Sequence, residues 1–194
     1  MLHMAEIRTF ICFELPKDVK KVILELQNRL RTFGKGVAWS RIDGVHLTLK
    51  FLGNVEEERI ESIAAAVARA CDGGTPIDMT LGEAGAFPNV KHPRVFWLGI
   101  NESSGRLLTL QRNIESALAQ FDFPKDERPF SPHLTLGRVK HLDEPEKIAR
   151  ALSVYRPPAL SFTVDEVAVM KSELLQAGAA YTPLHKIKLN GAEV

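Results

Sequence analysis

The sequence predicts an α+β or mixed α/β fold with largely antiparallel strands, and three observations predict it. Strand-like and helix-like patterns are interleaved, yet several strands follow one another with no helix between them, which a purely parallel sheet does not allow. The chain also matches itself at an offset of 87 residues: His46-Leu47-Thr48-Leu49 recurs as His133-Leu134-Thr135-Leu136. At the same offset, strand-like Ile7–Glu14 falls on Arg94–Asn101 and helical Lys17–Phe33 on Ser104–Phe121 to within about one residue, while the helix from Glu56 falls on one from Asp143. That is a duplicated strand–helix–strand–helix unit. Finally, 194 residues at 45% apolar and 25% charged suit one domain, spanning residues 1–194 as a single core or as two lobes.

Each element follows from local pattern. Arg8–Leu15 is apolar and β-rich, and Pro16 ends it. The first helix carries Val19, Val22, Ile23, Leu26 and Leu30 at helical spacing, and Gly34 and Gly36 stop it. Trp39-Ser40-Arg41 leads into the first tetrad, whose strand runs on to Gly53-Asn54. A second helix turns Ile60, Ile63, Ala64 and Val67 inward, and Gly73–Pro76 is a turn. Ile77–Leu81 reads as a strand, Gly82–Pro93 as a loop and Val95–Ile100 as a strand. A third helix spans about Ser104–Phe121, capped by Ser103 or Ser104. The polar connector Pro124–Arg128 precedes the second tetrad, and Asp143 caps a short helix with Pro145 in its first turn. Leu160–Met170 and Tyr181–Leu189 close the chain as strands.

Composition narrows the function. A net charge of +1 gives no bulk electrostatic case for wrapping a long nucleic acid, but leaves a locally bound anion open. Cys12 and Cys71 lie in apolar segments without metal-ligand spacing, so buried thiols in a reducing cytoplasm are expected. No apolar run is long enough to span a membrane and no signal-peptide pattern opens the chain. There is no His-Glu-x-x-His, Cys-x-x-Cys, Gly-x-Ser-x-Gly or Gly-rich Lys-Ser/Thr loop, so neither metal nor cofactor is expected. His92, His141 and His185 stand in polar contexts and read as exposed side chains.

The tetrads carry the chemistry. In a strand, residues i and i+2 share a face, so each tetrad offers an imidazole and a hydroxyl together and turns its leucines inward. Two histidines beside one substrate form an acid–base pair, since an ordinary pKa of about 6.5 lets one be neutral while the other is protonated. A reaction with water attacking on one side and an alkoxide leaving on the other needs that pair. A phosphodiester fits, with Thr48 and Thr135 placed to bind its non-bridging oxygens. Without a metal, an activated substrate such as a strained cyclic phosphate is wanted. This reading does not say which histidine is the base.

These residues resemble the two-histidine phosphoesterase superfamily, defined by two His-x-Thr/Ser-x motifs, and within it the RNA 2′,3′-cyclic phosphodiesterases, also called 2′-5′ RNA ligases. The resemblance covers nearly the whole chain, through Arg8–Phe13, Val45–Gly53, Pro93–Gly99, Arg128–Arg138, Lys171–Leu174 and Gly178–Tyr181. It implies a bilobal α+β fold with pseudo-two-fold symmetry and an open cleft carrying both motifs. By the same resemblance His133 is the proton acceptor that activates water and His46 the proton donor to the leaving ribose 3′-oxygen, with Thr48 and Thr135 on phosphate. The product is a 2′-phosphomonoester, and the reverse reaction is a weak ATP-independent ligation. Arg138 matches a substrate-binding position, although simple alternation puts it on the face opposite His133, so a twist or bulge is required. Lys50 has the parity of His46 and is either a second substrate-binding cation or a solvated lysine. The implied partners are RNA ends bearing a 2′,3′-cyclic phosphate, tRNA fragments or small nucleotides, met by a cytoplasmic monomer. The alternatives are hydrolysis of 2′-5′-linked oligonucleotides or small cyclic nucleotides, and a non-catalytic RNA-end-binding module.

Overall fold

A computed structural model describes residues 5–141, 144–175 and 178–191. Strand β1 (Glu6–Glu14) leads into helix α1 (Lys17–Arg31), the short strand β2 (Val37–Trp39) and strand β3 (His46–Glu56). Helix α2 (Ile60–Ala70), strands β4 (Ile77–Phe87) and β5 (Val95–Asn101), helix α3 (Arg106–Ala119) and strand β6 (His133–Val139) follow. The chain closes through α4 (Pro145–Ser153), β7 (Ser161–Val164), β8 (Glu166–Leu175) and β9 (Gly178–Lys188).

The strands form one nine-stranded sheet in the order β7-β4-β5-β6-β3-β1-β8-β9, with β2 also paired to β6. Its pairings are antiparallel. Such a sheet can bury one face and leave the other wet. Here one face meets the helices: Ile11, Phe13, Leu47, Leu49, Phe96, Leu98, Leu134 and Leu136 join Val19, Ile23, Ile63, Ile114, Leu118 and Ile148 in a single buried cluster. Residues of opposite parity on β1 and β8, Phe10, Cys12, Ala168 and Met170, form a smaller cluster with Tyr181 on the other face. Both cysteines are free and buried; burial pushes the Cys12 thiol far up and the Cys71 thiol to about 11.

The two repeats meet at the centre of the sheet, where β3 pairs β6 through Leu47 opposite Leu134. Those leucines are equivalent under the 87-residue offset, so the pseudo-two-fold axis passes between a residue and its own copy. Both tetrads therefore lie side by side and antiparallel. The outer register slips: Cys12 lies opposite Thr48, whereas Trp97, 85 residues later, lies opposite Thr135.

Three expectations are corrected. Gly82–Phe87 is not loop but the second half of β4, which a bulge after Leu81 re-aims before it pairs β5. Its glycines admit close neighbours: a Cβ on Gly85 would stand 2.7 Å from the Trp97 ring. Leu160–Met170 is two strands, with β7 pairing β4 near one end of the sheet and β8 pairing β1 near the other. Helix α3 starts after Gly105 rather than behind a serine cap, and the Glu102 carboxylate accepts the N–H groups of Ser104 and Leu107. Asp143 lies outside the described residues.

Candidate active site

The leucines of the tetrads hold the site in place. Leu47, Leu49, Leu134 and Leu136 are at most 3% exposed, and each such burial contributes about 1.5–3 kcal/mol. Their alternation turns His46, Thr48, His133 and Thr135 to the opposite face, where all four are half-buried. With Leu47 opposite Leu134, antiparallel pairing sets His46 across from Thr135 and Thr48 across from His133. The two histidines then stand on a diagonal, which in regular sheets spans about 7–8 Å. A diagonal of that order leaves room for a phosphate group.

Both imidazoles are oriented in the same way. The Nδ1 of His46 lies 2.7 Å from the Gly44 carbonyl and that of His133 lies 2.7 Å from the Ser131 carbonyl. A carbonyl only accepts, so each Nδ1 carries a hydrogen and donates it, leaving Nε2 to exchange protons with a substrate. Gly44 and Ser131 are themselves related by the 87-residue offset, a signal present in the sequence but hidden because a backbone carbonyl imposes no side chain. Neither threonine hydroxyl has a protein hydrogen-bond partner among the described residues, so both are available to phosphate oxygens.

The surroundings of the two histidines differ. His46 stacks on Phe10 at 4.5 Å between ring centroids, and Tyr181 meets it edge-on at 5.1 Å. Burial pushes the His46 pKa below the usual histidine value, against the raising effects of the Gly44 carbonyl and the Glu14 carboxylate. His133 meets the edge of Phe87 at 5.1 Å, and Phe87 stacks on Trp97 at 5.2 Å. These aromatic walls escape sequence reasoning because nothing in the pattern distinguishes Phe10 or Trp97 from core residues of a strand.

Each tetrad ends in a bulge, which decides the fate of the residues beyond it. On β3, Thr48 pairs Cys12 while Lys50 pairs Ile11, so Leu49 is the extra residue. On β6, Thr135 pairs Trp97 while Gly137 pairs Phe96, so Leu136 is extra. A bulge inserts one residue and inverts the alternation after it. The Leu136 carbonyl is satisfied by the Gln27 side chain at 2.9 Å and by the Ser40 N–H at 3.0 Å.

Arg138 gains from this inversion. Alternation alone places it on the core side, but the bulge returns it to the face of His133, where it is exposed. Lys50 is corrected in the other sense. The Leu49 bulge sends it to the core side, where its ammonium lies 2.9 Å from Glu115 Oε2 and 2.8 Å from the Pro124 carbonyl. It is neither solvated nor available to a substrate on the open face. Glu115 also accepts the Asp126 N–H at 3.1 Å, so the pair ties α3 and β3 to the connector leading to His133. Of the other histidines, His185 contacts Glu61 at 3.2 Å, and His92 and His141 are exposed.

A sequence model of the 2′-5′ RNA ligase superfamily matches residues 24–175, a span that holds both tetrads. The chain belongs to that superfamily. A Thermotoga maritima protein named RNA 2′,3′-cyclic phosphodiesterase is 34% identical over 184 residues, covering 95% of this chain and 96% of that one. A relative of the same name from Methanothermobacter thermautotrophicus is 31% identical over 185 residues, covering 95% and 100%. Among solved structures, a Thermus thermophilus protein superposes with a TM-score of 0.79 at 30% identity, covering 96% of this chain and 100% of that one. Escherichia coli LigT complexed with 3′-AMP superposes with a TM-score of 0.77 at 26% identity, covering 96% and 99%. The superfamily fold is thus shared end to end. No helix among the described residues is long and apolar enough to cross a membrane.

Proposed function

We propose that this member of the superfamily hydrolyses RNA 2′,3′-cyclic phosphate ends to 2′-phosphomonoesters, without a metal, by acid–base catalysis between His133 and His46. The observation that carries the reading is the paired orientation of the two imidazoles, each with Nδ1–H donated to a carbonyl two residues upstream and Nε2 left to titrate. The relatives named RNA 2′,3′-cyclic phosphodiesterase, aligned over nearly the whole chain, support the substrate class.

In the reaction, His133 Nε2 takes a proton from water as the water oxygen bonds to phosphorus. The bond from phosphorus to the ribose 3′-oxygen breaks, and His46 Nε2–H protonates that oxygen. The product carries a 2′-phosphate and a free 3′-hydroxyl, and proton exchange with solvent resets both imidazoles. Thr48, Thr135 and Arg138 bind the non-bridging oxygens, where negative charge concentrates in the transition state. Burial makes His46 a stronger acid once protonated, and the negative charge of a bound phosphodiester favours its protonated form. Each positioned proton transfer typically contributes about 10²–10⁴-fold. A 5′-hydroxyl attacking phosphorus in place of water, with the same P–O3′ bond breaking, gives 2′-5′ ligation, which stays weak unless the two ends are pre-aligned. We place the protein in the cytoplasm, a reading that its two free buried thiols support, and take it to act as a monomer.

The test is incubation with adenosine 2′,3′-cyclic phosphate and with a short RNA ending in a cyclic phosphate, both in excess EDTA. A 2′-phosphate product is expected. A 3′-phosphate would reverse the assignment of the leaving oxygen, and loss of turnover in EDTA restored by one divalent ion would place the reaction in metal-assisted chemistry.

A further inference from the structure

The cleft is not closed on the His46 side. A cavity of about 210 Å³ opens there, lined by Glu14, Met170, Ala180 and Tyr181 on its walls and by Lys20 and Arg41 among its polar residues. At about 30 Å³ per water it holds a group the size of a pentose. In contrast, Phe87 packs against His133, with Trp97 stacked behind it.

The geometry of the reaction says what the cavity takes. In a 2′,3′-cyclic phosphate both bridging oxygens belong to one ribose. If the 3′-oxygen departs toward His46 and water arrives from His133, the sugar itself must lie on the His46 flank. The walls suit it: the Tyr181 ring, Ala180 and Met170 provide apolar surface, and Glu14 provides an acceptor for hydroxyl groups. The Glu14 carboxylate lies 2.6 Å from the Lys186 ammonium, which it shares with Glu166 at 3.0 Å.

Among the described residues, neither cation lining the cavity forms an ion pair with a carboxylate. Arg41 is exposed and forms no ion pair among the described residues, and Lys20 donates only to the Asp43 backbone carbonyl at 3.2 Å. Asp43 and Glu14 belong to the same lining and match the two cations in number, so what the cavity offers an anion is the unpaired guanidinium of Arg41 rather than a net positive field. On a ribose whose 2′,3′ edge faces the histidines, the 5′-oxygen lies across the ring, away from the reacting phosphorus. The next phosphate of an RNA chain is attached to that oxygen.

We infer that this cavity seats the terminal ribose and that Arg41, assisted by Lys20, binds the phosphate on its 5′ side. The inference rests on the proposed polarity, with the leaving oxygen at His46. It makes a nucleotide bearing a 5′-phosphate or phosphodiester, as at an RNA end, the preferred substrate over a free cyclic nucleoside phosphate.

The experiment compares kcat/KM for adenosine 2′,3′-cyclic phosphate with kcat/KM for the same compound carrying a 5′-phosphate, in the parent protein, Arg41→Gln and Lys20→Gln. The 5′-phosphate is expected to raise kcat/KM about ten- to a hundredfold in the parent, the worth of a charge-assisted hydrogen-bonded contact. Arg41→Gln should lower kcat/KM much more for the 5′-phosphorylated compound than for the 5′-hydroxyl compound, removing most of that gain, and Lys20→Gln should remove a smaller part. Added salt should shrink the gain as it screens the contact. Equal kcat/KM for both compounds in the parent overturns the inference while leaving the phosphodiesterase reading intact. So does an Arg41→Gln loss that is the same on both compounds. Failure of the parent to hydrolyse either compound overturns the phosphodiesterase reading, and the inference with it.

Discussion

Replacing Lys50 by Met tests where the structure puts that residue. Its side chain is 2% exposed and that of Glu115 is 7% exposed, with Nζ 2.9 Å from Oε2. Removing one partner of a buried pair leaves the other charge uncompensated, at a cost of roughly 3–5 kcal/mol. That is a large share of the roughly 5–15 kcal/mol a native domain has in total. For a chain of this size it lowers Tm by about 6–20 °C, taking about 2–4 °C per kcal/mol. Lys50→Met with Glu115→Leu should recover most of this, because an apolar pair of similar volume replaces a buried ion pair at little cost. The recovery is read as the coupling between the two sites in a double-mutant cycle of chemical denaturation. Turnover should recover less, because the Pro124 carbonyl and the Asp126 N–H both lose their anchors on the connector to His133. A Lys50→Met protein with parental Tm and a raised KM would refute the reasoning and return Lys50 to the substrate face.

Further outcomes follow from the same geometry. An NMR titration should give His46 a midpoint below the ordinary value of about 6.5, because burial disfavours its charged form; a midpoint above that value contradicts the packing against Phe10 and Tyr181. Since the folded pKa is the lower one, the unfolded chain binds a proton first as pH falls, so stability declines from about pH 6.5 downward. His46→Gln should flatten that slope in denaturation curves collected across the window, and an unchanged slope would assign it to other groups. Arg138→Ala should raise KM for a cyclic phosphate about tenfold or more, the worth of one charge-assisted contact, with little change in Tm because the side chain is exposed; an unaffected KM would remove Arg138 from the site.

The tetrads were legible because alternation alone assigns His46, Thr48, His133 and Thr135 to one face and four leucines to the other. The duplication was legible at the level of element order. What escaped is what tertiary pairing decides. Nothing in Leu49-Lys50 or Leu136-Gly137 announces a bulge, yet the bulges send Lys50 inward and Arg138 outward, reversing simple parity at both positions. Gly82 and Gly85 look like loop punctuation, but here they serve close packing against Asn101 and Trp97 within a strand. The division of Leu160–Met170 at Asp165 follows from pairing with β4 and with β1, partners far apart in the sheet. The aromatic walls of the two histidines depend on which strands become neighbours, which a single chain of letters does not state.

The central claim, His133 as base and His46 as acid, is tested most directly by changing the leaving group. Turnover of a cyclic phosphate and of an aryl phosphodiester should be measured for His46→Ala and His133→Ala at matched pH. Both variants should lose two to four orders of magnitude on the cyclic phosphate, about the worth of one proton transfer each. An aryl oxide departs without a proton, so the aryl substrate should restore His46→Ala far more than His133→Ala, which still lacks its base. Equal restoration of both, or restoration of His133→Ala alone, would contradict the assignment.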